Sequence, residues 1–211
     1  MAQHQRHAVG EALMIAIIDS GGANIASVMF ALERCGANGT LTADPDVIMS
    51  ADKVILPGVG AAPVAMDRLR QAGLLDCICS LKQPVLGICL GMQLLFDESE
   101  EGATPLLGVI PARVDAFDAA SGLTVPHMGW NRLQPTPGGA DHPLLQGVEP
   151  GSHVYFVHSY AAPVTADTVA SCSYGVDFTA LTSRGNFMGA QFHPERSGPV
   201  GARILQNFID L

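Results

Sequence analysis

The sequence predicts an α/β fold: an open, mostly parallel sheet with helices on both faces, followed by a strand-rich second half. Three observations predict it. MIAIID from Met14, KVIL at Lys53–Leu56 and PVLGI at Pro84–Ile88 are short apolar runs of the kind that fill strands buried on both faces. Segments of helical character separate these runs, which is the pattern of parallel strands joined by crossovers. Beyond Leu107 the segments become short and rich in β-branched and aromatic residues, with turns such as Pro135-Thr136-Pro137-Gly138-Gly139 between them.

Residues 1–13, MAQHQRHAVGEAL, are polar and show no period. They read as an N-terminal extension without order of its own, and residues 14–211 as a single domain. After the first strand, Ser20-Gly21-Gly22-Ala23-Asn24 makes a turn, and Ile25 to Cys35 reads as a helix closed by Gly36. A short apolar run near Gly39–Leu41 and a turn at Asp44-Pro45 lead to KVIL. Pro57-Gly58-Val59-Gly60 follows that strand directly, then a helix around Val64–Ala72. PVLGI ends at Ile88, and a helix is expected from Leu90 to Phe96. In the second half VYFVHSY, TVASCSY, FTALTS and NFMGAQF read as strands, and a helix from about Pro199 to Ile209 closes the chain.

Composition narrows the function classes. The 211 residues carry 20 acidic and 11 basic side chains, a net charge of −9, with no basic cluster of the kind nucleic-acid binders present. The longest apolar stretch, Pro84 to Phe96, is interrupted by Gly87, Gly91 and Gln93 and falls short of the ~18–20 residues a membrane span needs. No charged-then-apolar leader with a cleavage site precedes the domain, so the chain reads as cytosolic. Five cysteines, an odd number without framework spacing, read as reduced thiols. Cys77 and Cys79 form C-x-C without a partner pair, and Cys35 and Cys172 read as packing residues. His127, His153 and His158 are not at the spacing of a helix-face metal site, so no metal is expected.

Two local patterns can carry chemistry. Gly87-Ile88-Cys89-Leu90-Gly91 places a nucleophile between glycines where a buried strand meets a helix, the cysteine form of the G-x-S-x-G elbow. Side chains at the glycine positions would crowd so tight a turn, and the helix N-terminus would favour a thiolate. An inert buried cysteine in a glycine-rich bend fits the same five residues. Phe192-His193-Pro194-Glu195 places His193 and Glu195 two apart, on one face if the chain is extended. Pro194 biases His193 away from the helical region, and Glu195 could then orient the imidazole. A surface His–Glu pair before the last helix fits as well. Taken together the two patterns supply nucleophile, base and orienter, all deliverable to the carboxyl edge of an open sheet. The glycines of Pro57-Gly58-Val59-Gly60 would let backbone N–H groups approach a ligand, although an ordinary βα turn reads the same way.

PGVG, GICLGMQLLF, VPHMGWN, YFVHSY and GAQFHPERS together resemble the triad (class I) glutamine amidotransferases. The likeness runs from Met14 to the C-terminus. The order of the two middle motifs resembles the branch whose glutaminase feeds ammonia to a (β/α)8-barrel cyclase in histidine biosynthesis. The resemblance implies Cys89 as nucleophile, His193 as general base and acid, and Glu195 as orienting carboxylate. It implies an oxyanion hole from the N–H groups of Val59 and Leu90, and a glutamine pocket lined by Gly58, Gly60, Gln93, Ser159 and Tyr160. Asn24, Trp130, Tyr155 and Arg196 fall at positions that face the cyclase partner, in a heterodimer. Glutamine hydrolysis of this kind needs no cofactor. Departures are Arg196 where the family usually has Lys, S-G-G-A-N where it commonly has Y-G-x-G-N, and the N-terminal extension. Other triad amidotransferases, a cysteine hydrolase of the same fold and a silent regulatory subunit share these expectations in part.

Overall fold

The computed structural model describes residues 13–20, 25–118, 120 and 122–211. Residues 1–12 of the expected extension and most of the Ser20–Asn24 turn, Asn24 included, lie outside the described residues. The first half alternates strands and helices: β1 (Ile15–Ile18), α1 (Ile25–Arg34), β2 (Gly39–Thr42), α2 (Pro45–Ser50), β3 (Lys53–Gly58), α3 (Ala62–Gln71), α4 (Leu75–Ser80), β4 (Val85–Cys89) and α5 (Leu90–Gln93). Then come β5 (Phe96–Ser99), β6 (Thr104–Pro105), β7 (Ile110–Ala116), β8 (His127–Arg132), β9 (Gln134–Pro135), β10 (His153–His158) and β11 (Tyr160–Ala161). The chain closes with β12 (Thr168–Tyr174), β13 (Val176–Arg184), β14 (Phe187–Ala190) and α6 (Gly198–Asp210).

The main sheet has eight strands in the order β2-β1-β3-β4-β14-β13-β12-β9. Pairings from β2 through β14 are parallel, and those from β14 to β9 antiparallel. The late strand β14 therefore lies directly beside β4, in the register Ala190 with Ile88. Strands β8 and β10 form a separate two-stranded ribbon, and β11-β7-β5-β6 a small mixed sheet.

Both faces of the parallel part are covered, which is why its strands read as unbroken apolar runs. Alternate residues feed two cores. Ile15, Ile17, Ile55, Leu86 and Ile88 pack with Val28 and Leu32 of α1 and Ile204 and Phe208 of α6. Ala16, Ile18, Val54, Leu56 and Val85 pack on the other face with Ile48 of α2, Met66 and Leu69 of α3 and Ile78 of α4. Leu13 is partly buried against the first of these cores. Among the described residues no helix is long and apolar enough to cross a membrane.

Three local expectations need correction. The helix expected from Leu90 to Phe96 ends at Gln93, and Phe96 opens β5, which pairs with β7 and β6. Leu94, Leu95 and Phe96 are all fully buried, and a short run buried all round has no period to separate helix from strand. The turn at Asp44-Pro45 is the start of α2: the Asp44 carboxylate accepts the Asp46 N–H at 2.9 Å and Pro45 takes the first helical position. His193 is extended, at φ −97° and ψ 97°, but Pro194–Arg196 form a turn of 3₁₀ helix rather than continuing the strand.

Candidate active site

Cys89 is the last residue of β4 and the residue before α5. Its backbone sits at φ 54° and ψ −111°, a conformation that residues with a Cβ rarely adopt. The sequence around it permits the sharp reversal. A Cβ on Gly91 would stand 1.8 Å from the Leu56 carbonyl oxygen of β3, and one on Gly87 2.6 Å from the Gly91 carbonyl oxygen. Both contacts are with backbone, so only glycine lets the turn fold so tightly against β3 and itself. The outcome is a thiol held at the carboxyl edge of the sheet, 7% exposed, with Sγ 3.8 Å from the Val157 carbonyl oxygen and 4.0 Å from Gln191 Nε2.

Sheet order brings the second pattern to the same place. His193 follows β14 by three residues, and β14 is the neighbour of β4. The His193 N–H donates to the Tyr155 carbonyl at 2.9 Å, and its own carbonyl accepts the Ser197 hydroxyl at 2.7 Å. That hydroxyl in turn accepts the Tyr155 N–H at 2.9 Å, tying the β10 strand to the histidine's turn. The 3₁₀ turn swings Glu195 back so that Oε1 lies 2.8 Å from His193 Nδ1, with both side chains almost fully buried. The pairing expected from an extended strand is thus achieved by a turn instead.

Electrostatics favour the imidazolium. Burial alone would lower the His193 pKa. The Cys89 sulfur and the Glu195 carboxylate outweigh it and raise the value to about 10. His193 Nε2 is buried, and the Cys89 sulfur is the side chain on that side whose interaction raises the His193 pKa. A thiol, an imidazole and a buried carboxylate thus meet in one site, the set of groups that nucleophilic catalysis with an oriented proton carrier requires.

These groups open onto a cavity of about 620 Å³, within the range of small-molecule sites. Of the residues singled out in the sequence, Val59, Gly60, Cys89, Leu90, Gln93, Ser159, Tyr160, His193 and Arg196 line it. Gly58 sits beside it at the end of β3, paired with Cys89 in the sheet register. Glu195 lies behind the imidazole, and Trp130 and Tyr155 lie outside the cavity. Trp130 is 56% exposed and meets Tyr155 edge to face, and the Arg196 guanidinium stacks 4.5 Å from the Tyr155 ring. Among the described residues no group of three metal-ligating side chains gathers in a way that could hold a metal ion.

Sequence reasoning missed four residues of the site. Gln191 is fully buried, accepts the Gln93 side-chain amide at 2.9 Å and approaches Cys89. It stands two before His193, and the same-face spacing that paired His193 with Glu195 was there to find it. Ser197 had no such signal, because its role depends on β10. Glu101 and His158 line the cavity from segments far away in sequence. The Glu101 carboxylate also accepts the Ala62 N–H at 2.7 Å, at the start of α3.

Comparison with known proteins places the chain in a family. Residues 16–211 match the family model described as glutamine amidotransferase class-I. The chain is 53% identical over 197 residues to the imidazole glycerol phosphate synthase subunit HisH of Xanthomonas axonopodis pv. citri, covering 93% of this chain and 97% of that protein. It is 52% identical, over the same shares, to the HisH subunit of Xylella fastidiosa strain Temecula1. In fold it resembles PurLQS from Thermotoga maritima, with a TM-score of 0.71 at 18% identity over 95% of this chain and 99% of that one. The glutaminase domain of Trypanosoma brucei CTPS, solved with bound acivicin, superposes with a TM-score of 0.66 at 14% identity over 94% of each chain. The chain belongs to the class I glutamine amidotransferase family and, over nearly its whole length, is similar to the HisH subunits of imidazole glycerol phosphate synthase.

Proposed function

We propose that this chain is the glutaminase subunit of imidazole glycerol phosphate synthase, a cytosolic enzyme that hydrolyses glutamine and passes ammonia to a (β/α)8-barrel cyclase in histidine biosynthesis. The observation that carries the reading is Cys89, held at a strained elbow in one cavity with the buried His193–Glu195 pair, in a chain 53% identical to HisH relatives. The Cys89 thiolate attacks the carboxamide carbon of glutamine. The N–H groups of Val59 and Leu90 receive the developing oxyanion. The His193 imidazolium gives its proton to the departing ammonia, leaving a γ-glutamyl thioester. Neutral His193 then takes a proton from the water that attacks this thioester, and glutamate leaves as the thiolate is restored. Acid–base help of this kind is worth roughly 10²–10⁴-fold, and one oxyanion donor about 10²–10³-fold.

Gly58, Gly60, Gln93, Ser159 and Tyr160 shape the pocket for glutamine, and Glu101 supplies negative charge opposite its α-ammonium group. Trp130 and Tyr155, outside the cavity, and Arg196, at its edge and stacked on the Tyr155 ring, face the cyclase in a heterodimer, with Asn24 assigned to the same surface by its place in the sequence. The test is co-purification with a cyclase, followed by glutamine-dependent and ammonium-dependent assays. Cys89→Ala should abolish the first and leave the second, because the cyclase step needs only ammonia. Glutamine turnover by a clean Cys89→Ala complex would overturn the assignment.

A further inference from the structure

Two buried histidines take no part in the chemistry above. His127 of β8 and His158 of β10 face each other in the antiparallel ribbon and are 3% and 6% exposed. His127 Nδ1 lies 3.0 Å from His158 Nε2. At one end of the pair, His158 Nδ1 lies 2.8 Å from the Tyr160 carbonyl oxygen. At the other, Asn131 Nδ2 lies 3.3 Å from His127 Nε2.

The two ends fix the polarity independently. A carbonyl only accepts, so His158 carries its proton on Nδ1 and its Nε2 must accept; His127 then donates from Nδ1 and accepts at Nε2. From the far end, Asn131 Nδ2 also donates to the Ser173 carbonyl at 3.0 Å, and its Oδ1 accepts the Arg132 N–H at 2.8 Å. The amide is thereby oriented with its N–H toward His127, the same direction reached from Tyr160. Protonating either ring would aim N–H against N–H along the chain. Burial acts the same way, lowering His158 to about 3 and His127 to about 4, so both rings are neutral.

The chain ends on an atom of the site. The Tyr160 carbonyl also accepts the Gln93 side-chain amide at 2.9 Å, and the same amide donates to Gln191 Oε1, whose own amide group lies beside Cys89. We propose that His127 and His158 are positioning residues for the glutamine pocket: a one-directional hydrogen-bond chain from Asn131 anchors the Tyr160 carbonyl and, through it, Gln93 and Gln191. The kinetic readout rests on the glutaminase reading; the polarity of the chain does not.

Packing is the rival role, because His158 also sits among Phe117, Phe156 and Phe178. Two variants separate them. His158→Phe keeps the ring and loses both hydrogen bonds, whereas His158→Asn loses the ring and keeps a donor near the Nδ1 position. Measured on the chain co-purified with its cyclase, the KM for glutamine should rise about 10-fold or more in His158→Phe and at least about threefold less than that in His158→Asn, with kcat changing less than KM in both. The reverse order, or no KM change in His158→Phe, overturns the proposal. A second measurement stands even where a variant fails to fold. Long-range ¹⁵N–¹H spectra of the unmutated protein at pH 7 should show both rings as the neutral Nδ1–H tautomer. An Nε2–H or imidazolium signal from either residue overturns it. An unmutated complex inert toward glutamine would instead refute the glutaminase reading, while the spectra still decide the chain.

Discussion

Cys89 holds its sulfur in place through a backbone conformation that works against folding, and this can be measured by removing the sulfur in two ways. Cys89→Ala deletes the thiol but keeps the Cβ at φ 54° and ψ −111°. Cys89→Gly deletes the Cβ as well. Non-glycine residues in sparsely populated regions cost about 1–3 kcal/mol, and this ψ lies far from the small left-handed well, so the upper part of that range applies. Against the relief stands the greater entropy glycine loses on folding, about 0.5–1 kcal/mol relative to alanine. The balance favours the glycine variant by about 1–2.5 kcal/mol, which for a chain of this length is about 2–10 °C in Tm. At an ordinary buried strand position the sign is the opposite. Thermal and urea unfolding compares the two variants by stability alone, and both lack the thiol. A glycine variant that unfolds at or below the Tm of the alanine variant would show that the elbow stores no strain.

Gly91→Ala should cost about 3 kcal/mol or more in urea unfolding, because its Cβ would meet the Leu56 carbonyl oxygen at 1.8 Å and neither backbone can retreat; a loss below about 1 kcal/mol would contradict the packing described. Glu195→Gln should destabilise the fold most near pH 6 and progressively less as pH rises toward 10. The raised His193 pKa gives stability that is full below the unfolded value of about 6.5 and lost as pH rises through about 10; a pH-independent difference would separate Glu195 from the imidazolium. A chain beginning at Leu13 should keep its Tm and its glutaminase rate, since residues 1–12 are polar and without period while Leu13 packs on the core. A marked fall in either would assign those residues a contact with the domain or its partner.

The parallel half of the fold was legible because its strands are buried on both faces and so stand out as apolar runs, each followed by turn residues. Legibility failed where burial erased periodicity. Leu94-Leu95-Phe96 is buried on all sides, and nothing in its composition distinguishes the end of α5 from the start of β5. The residue types of the candidate site were legible as two patterns, but their meeting was not: it depends on β14 inserting beside β4, a neighbour relation between strands about 100 residues apart. The His–Glu contact was reached by correct residues and a wrong geometry. Pro194 could be read as keeping His193 extended, and it does, yet the same proline starts the 3₁₀ turn that carries Glu195 back. The histidine chain had no readable signal, since His127 and His158 become neighbours only through the pairing of β8 with β10.

The glycines around the site divide its rigid part from its adjustable part. Gly91 is required for space: a Cβ there would strike β3 backbone, so the elbow is locked to that strand by direct backbone contact. Gly60 is required for conformation alone: its φ is +96°, and a Cβ there would meet nothing within 4 Å. Gly58 belongs with the rigid part, since a Cβ there would stand 2.6 Å from the Gly91 nitrogen, so the torsional freedom of this turn lies at Gly60, which as a glycine accepts either sign of φ. On the opposite side, the Tyr160 carbonyl and Gln93 are anchored by a hydrogen-bond network whose polarity is set at both ends. Cys89 and one wall of the pocket are thus fixed, and Val59, whose N–H we propose as an oxyanion donor, lies between the packed Gly58 and the unpacked Gly60. If the Val59 N–H is such a donor, worth about 10²–10³-fold in rate, a partner that favoured its donating orientation would control hydrolysis without moving Cys89, His193 or Glu195. Such control must be reciprocal: whatever holds the peptide in its donating orientation is itself bound more tightly when the transition state is present.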